Sequence, residues 1–219
     1  MIIMALTDIH GDISRMNDHT LQQVKPDAIL IAGDITNFGR KKEARQIIES
    51  IQKTNAQIYA VPGNCDHPEV GDFLNQEGLN IDRRIVVLNG IAFIGIGGSL
   101  PCPGKTPNEL SEPDFESYLT KAARDLSPTI PKILLVHQPP FGTINDLSSS
   151  GNHVGSKSIR TFIERHKPLV CFSGHIHEGV GIDAIGDTKI VNPGPLRTGH
   201  YALARIVDNS VSVDIEAIG

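Results

Sequence analysis

Five short apolar runs, each closed at once by a polar cluster rich in Asp, Asn and His, constrain this chain more than any other feature. Ile2–Leu6 runs into Thr7-Asp8-Ile9-His10-Gly11, and Ala28–Ala32 into Gly33-Asp34. Residues 58–61 run into Pro62-Gly63-Asn64-Cys65-Asp66-His67, and Lys132–Val136 into His137-Gln138-Pro139-Pro140. Residues 168–172 lead to Ser173-Gly174-His175-Ile176-His177. An unbroken apolar run of this length is what a strand buried on both faces requires. Between the second and third runs, Ala44, Ile47, Ile48 and Ile51 fall at i, i+3, i+4 and i+7, the period of a helix with one buried side. Strand and helix alternating in this way predict parallel strands joined by right-handed crossovers. The polar clusters then arrive together at the carboxyl edge, where open α/β sheets place their chemistry.

The remaining segments predict a mixed architecture. Asp12 is expected to cap a first helix carrying Ile13, Met16, Leu21 and Val24 on one side. Asn89-Gly90 between two apolar runs is a hairpin signal, and residues 99–111 read as a long Pro/Gly-rich connection. Ser111-Glu112-Pro113-Asp114 opens a helix with Phe115, Tyr118, Leu119, Ala122 and Leu126 on one face. The loop 141–155 is long for a compact domain, which marks it as functional or mobile. Ser156 is expected to cap a further helix with Ile159, Phe162 and Ile163 inward. Alternation after residue 179 predicts short antiparallel strands.

At 219 residues the chain is read as a single domain, 1–219. Three unpatterned cysteines, Cys65, Cys102 and Cys171, argue against a disulfide framework and for a reducing, cytoplasmic setting. The start reads as a first strand and not as a signal peptide, and no apolar run approaches the roughly 20 residues a membrane span needs. A net charge of −5 disfavours a nucleic-acid footprint. It leaves room for a phosphate whose charge is met by a metal ion.

Collected from the strand ends, Asp8, His10, Asp34, Asn64, His137, His175 and His177 are ligand types for borderline divalent ions. They are too many for one tetrahedral zinc, and suit a pair of five- or six-coordinate ions sharing a carboxylate. Asp8 and His10 have the i, i+2 spacing that aims two side chains the same way from an extended segment. Metals about 3.5–4 Å apart can clamp the attacking and leaving oxygens of an in-line displacement and lower the pKa of a bound water, so that hydroxide attacks.

In this order, Asp8-x-His10, Gly33-Asp34, Gly63-Asn64, His137 and Gly174-His175-x-His177 resemble the calcineurin-like metallophosphoesterases. The resemblance runs from Asp8 to the Asn192-Pro193-Gly194 turn. It implies an α/β fold, a two-sheet mixed β sandwich flanked by helices in four α-β-β-α layers. It also implies a dinuclear centre: Asp8, His10 and His177 on one ion, Asn64, His137 and His175 on the other, and Asp34 bridging. The ions could be Mn, Fe, Zn, Co or Ni. The implied activity is hydrolysis of small phosphate esters, with diesters slightly favoured over monoesters. A non-catalytic protein-binding scaffold, as in the retromer subunit that resembles this family, is the alternative, with a phosphomonoesterase or nuclease beside it. A homo-oligomer is compatible with the sequence.

One position departs from the commoner family pattern. Many members place a His directly after the Asn, where it contacts the phosphate and can protonate the leaving group; here Cys65 stands there, followed by Asp66 and His67. Cys65 and His67 therefore join Asp34 and Asn64 as candidate catalytic residues, although a thiol is an indifferent acid. His153 on the long loop and Arg197 after the Asn192-Pro193-Gly194 turn, with Asn64, are candidate substrate contacts. The helix start at Ser156 is a further place an anion could sit.

Overall fold

The computed structural model describes residues 1–16 and 18–218. Strands β1 (Ile2–Leu6), β2 (Ala28–Ala32) and β3 (Gln57–Val61) are parallel, with α1 (Asp18–Val24) and α2 (Lys41–Ile51) in the crossovers and α3 (Pro68–Gln76) following β3. A hairpin of β4 (Arg84–Leu88) and β5 (Ile91–Ile96) comes next, then α4 (Glu112–Asp125), β6 (Lys132–Val136), α5 (Lys157–His166) and β7 (Val170–Phe172). The tail supplies β8 (Gly181–Ile185), β9 (Thr188–Asn192), β10 (His200–Val207) and β11 (Ser210–Ala217). One sheet has the order β11-β10-β1-β2-β3 and the other β4-β5-β6-β7-β9-β8.

The period of two along each strand builds the layers. Met4, Leu6, Ile29 and Ile31 turn to one side and pack on Ile47, Ile48, Ile51 and Phe73 of α2 and α3. Ile3, Ala5, Leu30 and Val61 turn to the other and meet Phe93, Leu135, Phe172 and Val191 of the second sheet. The outer face of that sheet, with Ile94, Leu134, Val136 and Cys171, is covered by Phe115 and Leu119 of α4 and Phe162 and Ile163 of α5. Both sheets are thus covered on both faces, which is why their parallel strands have no polar side. Full burial of each such Ile, Leu or Phe contributes roughly 1.5–3 kcal/mol. The result is the four-layer α-β-β-α mixed sandwich.

Local signals place most element ends. Ser111 caps α4 in a reciprocal capping box with Asp114, and the Ser156 hydroxyl accepts from Ile159 N to cap α5. The expectation for Asp12 is corrected: α1 starts only at Asp18, and the Asp12 carboxylate accepts from Ser14 N at 2.9 Å, closing a local turn. The tail strands are divided between the sheets. β10 pairs antiparallel with β1, whereas β8 and β9 extend the second sheet.

Candidate metal centre

The polar clusters are knitted together by backbone hydrogen bonds before any side chain is considered. Asp8 N donates to Gly33 O at 3.1 Å, His10 N to Asp34 O at 2.8 Å and Gly174 N to His137 O at 3.1 Å. These turns demand unusual backbone. Asp8, His10, Asp34 and His175 all have positive φ, between 48° and 69°. Left-handed backbone at non-glycine residues is costly and concentrates at functional sites. It also changes one argument from sequence: Asp8 and His10 are aimed together by a left-handed turn, not by the pleat of an extended strand.

The side chains then converge. His177 Nε2 lies 3.3 Å from Asp8 Oδ1 and 3.2 Å from His10 Nε2. His10 Nε2 is 3.8 Å from Asp8 Oδ1 and 3.7 Å from Asp34 Oδ2. On the other side His137 Nε2 is 3.5 Å from Asp34 Oδ1 and 2.8 Å from Asn64 Oδ1. The two oxygens of Asp34 therefore face one histidine each, from different strand ends. The His175 ring stands against that of His137, their centres 5.1 Å apart, and its backbone N–H donates to Asp8. All seven ligand-type residues expected at the strand ends are in this one cluster.

Two glycines make the approach possible. A Cβ on Gly63 would collide with Asp34 Oδ1 and its backbone nitrogen, and one on Gly174 would collide with Thr7 Oγ1 and press on Asp8 Oδ2. Thr7 Oγ1 in turn donates to Asp8 Oδ2 at 2.8 Å, fixing the carboxylate.

The electrostatics fit a cation. Ala32 O accepts from His137 Nδ1 at 2.8 Å, so that nitrogen carries the hydrogen. Orientation of a ligand imidazole through its other nitrogen is the usual second-sphere arrangement. His137 Nε2 and Asn64 Oδ1 are then two acceptors facing each other, and a proton or a cation must sit between them. Burial, aided by the charge of Asp8, raises the Asp34 carboxyl above its ordinary range, a cost that a bound cation removes. Burial alone would raise Asp8 too, but the hydrogen bond with His177 and the charges of His137 and His177 hold it well below the usual range. Burial lowers His10, and lowers His175 to about 3, keeping both imidazoles in the neutral, ligating form. His177 is raised, chiefly by its hydrogen bond with Asp8. Asp8, His10 and His177 form one group that could hold an ion, and Asp8, Asp34 and His137 another. The donor set of imidazoles, carboxylates and one amide oxygen matches borderline divalent metals.

The other expected site residues are distributed less evenly. Cys65 is buried in the cluster, within reach of His10 and Asp34, and its N–H donates to Asp34 Oδ1 at 2.8 Å. Burial and then the nearby Asp34 charge push its thiol far up, so it stays protonated and gives up its proton poorly. His67 is not brought into the cluster: it is the N-cap of α3 and lines a separate groove with Asp72, Asn75 and Asn80. Arg197 is exposed on the turn whose Leu196 N donates to Thr7 O, and its charge is felt at His177. His153 sits outside the ligand cluster, paired with Asp146. The N-terminus of α5 already has its anion, since Glu112 accepts from Ser156 Oγ, Lys157 N and Ser158 N.

Several further residues, outside the expected ligand set, hold the site. Buried Asp66 accepts from Ile35 N, Thr36 N, Thr36 Oγ1 and Gly63 N, bracing the turn that bears Asp34 against the one that bears Asn64. Burial and the charge of Asp34 push its carboxyl up to about 6. Cys102, from the long connection, brings its sulfur to 3.7 Å from His175 Nε2. Gln138, next to His137, bonds Leu100 N and Val154 O, clasping two loops at once. All three cysteines are free, and among the described residues no helix is long and apolar enough to cross a membrane.

Comparison with known proteins matches these features to a family. The family model for calcineurin-like phosphoesterases matches residues 1–179, which includes every candidate ligand. An uncharacterized protein of Methanocaldococcus jannaschii is 40% identical over 204 residues, covering 89% of this chain and 88% of that protein. A probable glycerophosphodiester phosphodiesterase of Arcobacter nitrofigilis is 24% identical over 160 residues, 70% of this chain and 57% of its own length. In three dimensions, the crystal structure of TT1561 of Thermus thermophilus superposes with a TM-score of 0.79 at 18% identity, covering 100% of this chain and 99% of that one. By the extent of the family match and by the relation to the Methanocaldococcus protein, this chain belongs to the calcineurin-like phosphoesterases.

Proposed function

We propose that the chain is a dinuclear-metal phosphoesterase that hydrolyses small-molecule phosphate esters, with diesters slightly favoured over monoesters. The observation that carries the dinuclear reading is the placement of Asp34, whose Oδ2 faces His10 and whose Oδ1 faces His137. Asp8, His10 and His177 would hold one ion, Asn64, His137 and His175 the other, with Asp34 shared. Two divalent ions bound there would supply Lewis acidity towards phosphoryl oxygens and a water of lowered pKa.

The chain's own groups do the rest. Thr7 fixes the Asp8 carboxylate, Asp66 braces the turns that bear Asp34 and Asn64, and Ala32 O fixes the His137 tautomer. Arg197, an exposed residue whose charge is felt at His177, offers a positive charge to the phosphate. Cys65 lines the site without being able to donate its proton readily, which favours esters whose leaving group needs little protonation unless another group supplies the proton. The Arcobacter relative named as a phosphodiesterase supports the diester preference. The net charge of −5 supports small substrates over nucleic acid.

The test is a panel of phosphomonoesters and phosphodiesters assayed after reconstitution with Mn, Fe, Zn, Co or Ni. Metal-dependent turnover of diesters above monoesters is the expected result, with Asp34→Asn losing nearly all of it. No hydrolysis of any ester with any of these metals would overturn the proposal.

A further inference from the structure

The loop 141–155 is organised around one buried carboxylate. Asp146 Oδ2 accepts from Gly142 N at 3.0 Å and Gly155 N at 2.9 Å, while Oδ1 accepts from Thr143 N at 2.8 Å and His153 Nδ1 at 2.7 Å. Those four bonds use the full accepting capacity of a carboxylate. Asp146 itself is wholly shielded, whereas the His153 side chain is 42% exposed. Phe141 packs against the imidazole, ring centres 5.7 Å apart. The ring is thus held at Nδ1, which leaves Nε2 on the side away from Asp146.

Three ties place this loop on the rim of the candidate metal centre. Val154 O accepts from Gln138, the neighbour of His137. Ser149 N donates to Glu178, the neighbour of His177, and Asn145 donates to Gly179 O. His153 therefore lies on a segment slung between two ligand-bearing turns, and the centre itself has no imidazole to spare. The Nε2 atoms of His10, His137 and His177 are all turned onto its carboxylates.

We propose that His153, positioned by Asp146, is the proton donor to the leaving group in this site. Its Nδ1–H stays on Asp146, so Nε2 is the atom that gives the proton. As the oxygen of water forms its bond to phosphorus, the bond from phosphorus to the ester oxygen breaks and its electron pair goes to that oxygen. The oxygen takes the proton from Nε2 and departs as an alcohol or phenol. The imidazole regains a proton from the one released by the attacking water. The inference rests on the phosphoesterase reading above.

Two diesters separate this role from a structural one. Bis(4-nitrophenyl) phosphate releases a phenolate that leaves without a proton, whereas the phenolate of diphenyl phosphate leaves poorly. In the metal-reconstituted full chain, His153→Ala is expected to slow diphenyl phosphate by about 10²–10⁴-fold, the usual reach of a general acid. The nitrophenyl ester should slow by less than about tenfold, and added imidazole should restore part of the lost rate on diphenyl phosphate. Equal slowing of both esters, or none, would overturn the proposal, and His153→Gln run beside it guards against loss of the loop. A second readout needs no turnover. In the zinc-loaded protein, nitrogen NMR should find neutral His153 protonated at Nδ1, with its resonances moving on addition of inorganic phosphate. An Nε2–H tautomer, or resonances unmoved by phosphate, also sinks the idea. Failure of the underlying reading looks different: the wild-type chain would hydrolyse neither ester with any metal.

Discussion

Asp66→Asn is the substitution that most sharply tests how the site is held. Two oxygens of Asp66 accept four hydrogen bonds, from Ile35 N, Thr36 N, Thr36 Oγ1 and Gly63 N, all in a buried place. Asparagine has nearly the same shape but turns one of those oxygens into a donor. If the amide nitrogen replaces Oδ2, the Ile35 and Gly63 N–H groups lose their acceptor and face another N–H. Each buried group left unsatisfied costs about 1–3 kcal/mol. Removing a buried charge that repels Asp34 returns part of this. A net loss of about 2–4 kcal/mol follows. For a chain of this size that is a fall in melting temperature of roughly 5–15 °C. The measurement belongs near pH 8, well above the value of about 6 to which the Asp66 carboxyl is pushed, so that wild type is fully ionised. Denaturant unfolding of metal-free protein gives the stability, and titration of a divalent ion gives the affinity. Both should drop, because the brace fixes Gly63 beside Asp34 and Asn64. A variant within about 0.5 kcal/mol of wild type, with unchanged metal affinity, would refute the bracing argument; surface substitutions lie within that range.

Other expectations follow from the same geometry. Gly174→Ala should weaken metal binding and turnover together, because its Cβ collides with Thr7 Oγ1 and presses on Asp8; unchanged metal content in the purified variant would contradict this. Metal binding should release protons as pH falls through the range in which His177 takes up a proton, since its hydrogen bond with Asp8 raises it above its ordinary value and it must lose that proton to ligate. The sign is that affinity weakens as pH drops through that window. Calorimetry in buffers of different ionisation enthalpy reads it, and proton uptake would refute it. His10 and His175 are lowered by burial, so they give up their protons more readily than His177 and contribute less. Cys65→Ser should change turnover by less than about tenfold, since the thiol is held protonated and donates poorly; a loss on the scale of a general acid, about 10²-fold or more, would return Cys65 to the proton path.

The sequence made the strands and the ligand cluster legible for the same reason. A strand buried on both faces, such as Ala28–Ala32, tolerates no polar residue, so Asp34 and its counterparts stand out where the run ends. Helix starts at Ser111 and Ser156 were readable because capping is settled between near neighbours in the chain. Asp12 failed as a cap because the side chain had a nearer partner, Ser14 N. What could not be read was contact between loops. Asp66 reaches Ile35 across 31 residues, and Cys102 reaches His175 across 73; neither has a spacing rule to announce it. His67 illustrates the converse, for it is one residue past Asp66 yet starts α3 and faces another groove. Backbone sign was hidden as well. Nothing in Asp8-Ile9-His10 tells that both ends of the triplet are left-handed, although that is what lets them meet.

The central claim is that two ions share Asp34, and anomalous diffraction from crystals of the metal-reconstituted protein, with metal analysis of the same sample, tests it most directly. The expected result is two ions per chain about 3.5–4 Å apart. One should be bound by Asp8, His10 and His177, the other by Asn64, His137 and His175, with one Asp34 oxygen on each or one oxygen between them. A single ion, or an Asp34 that touches only one of two, would contradict the account.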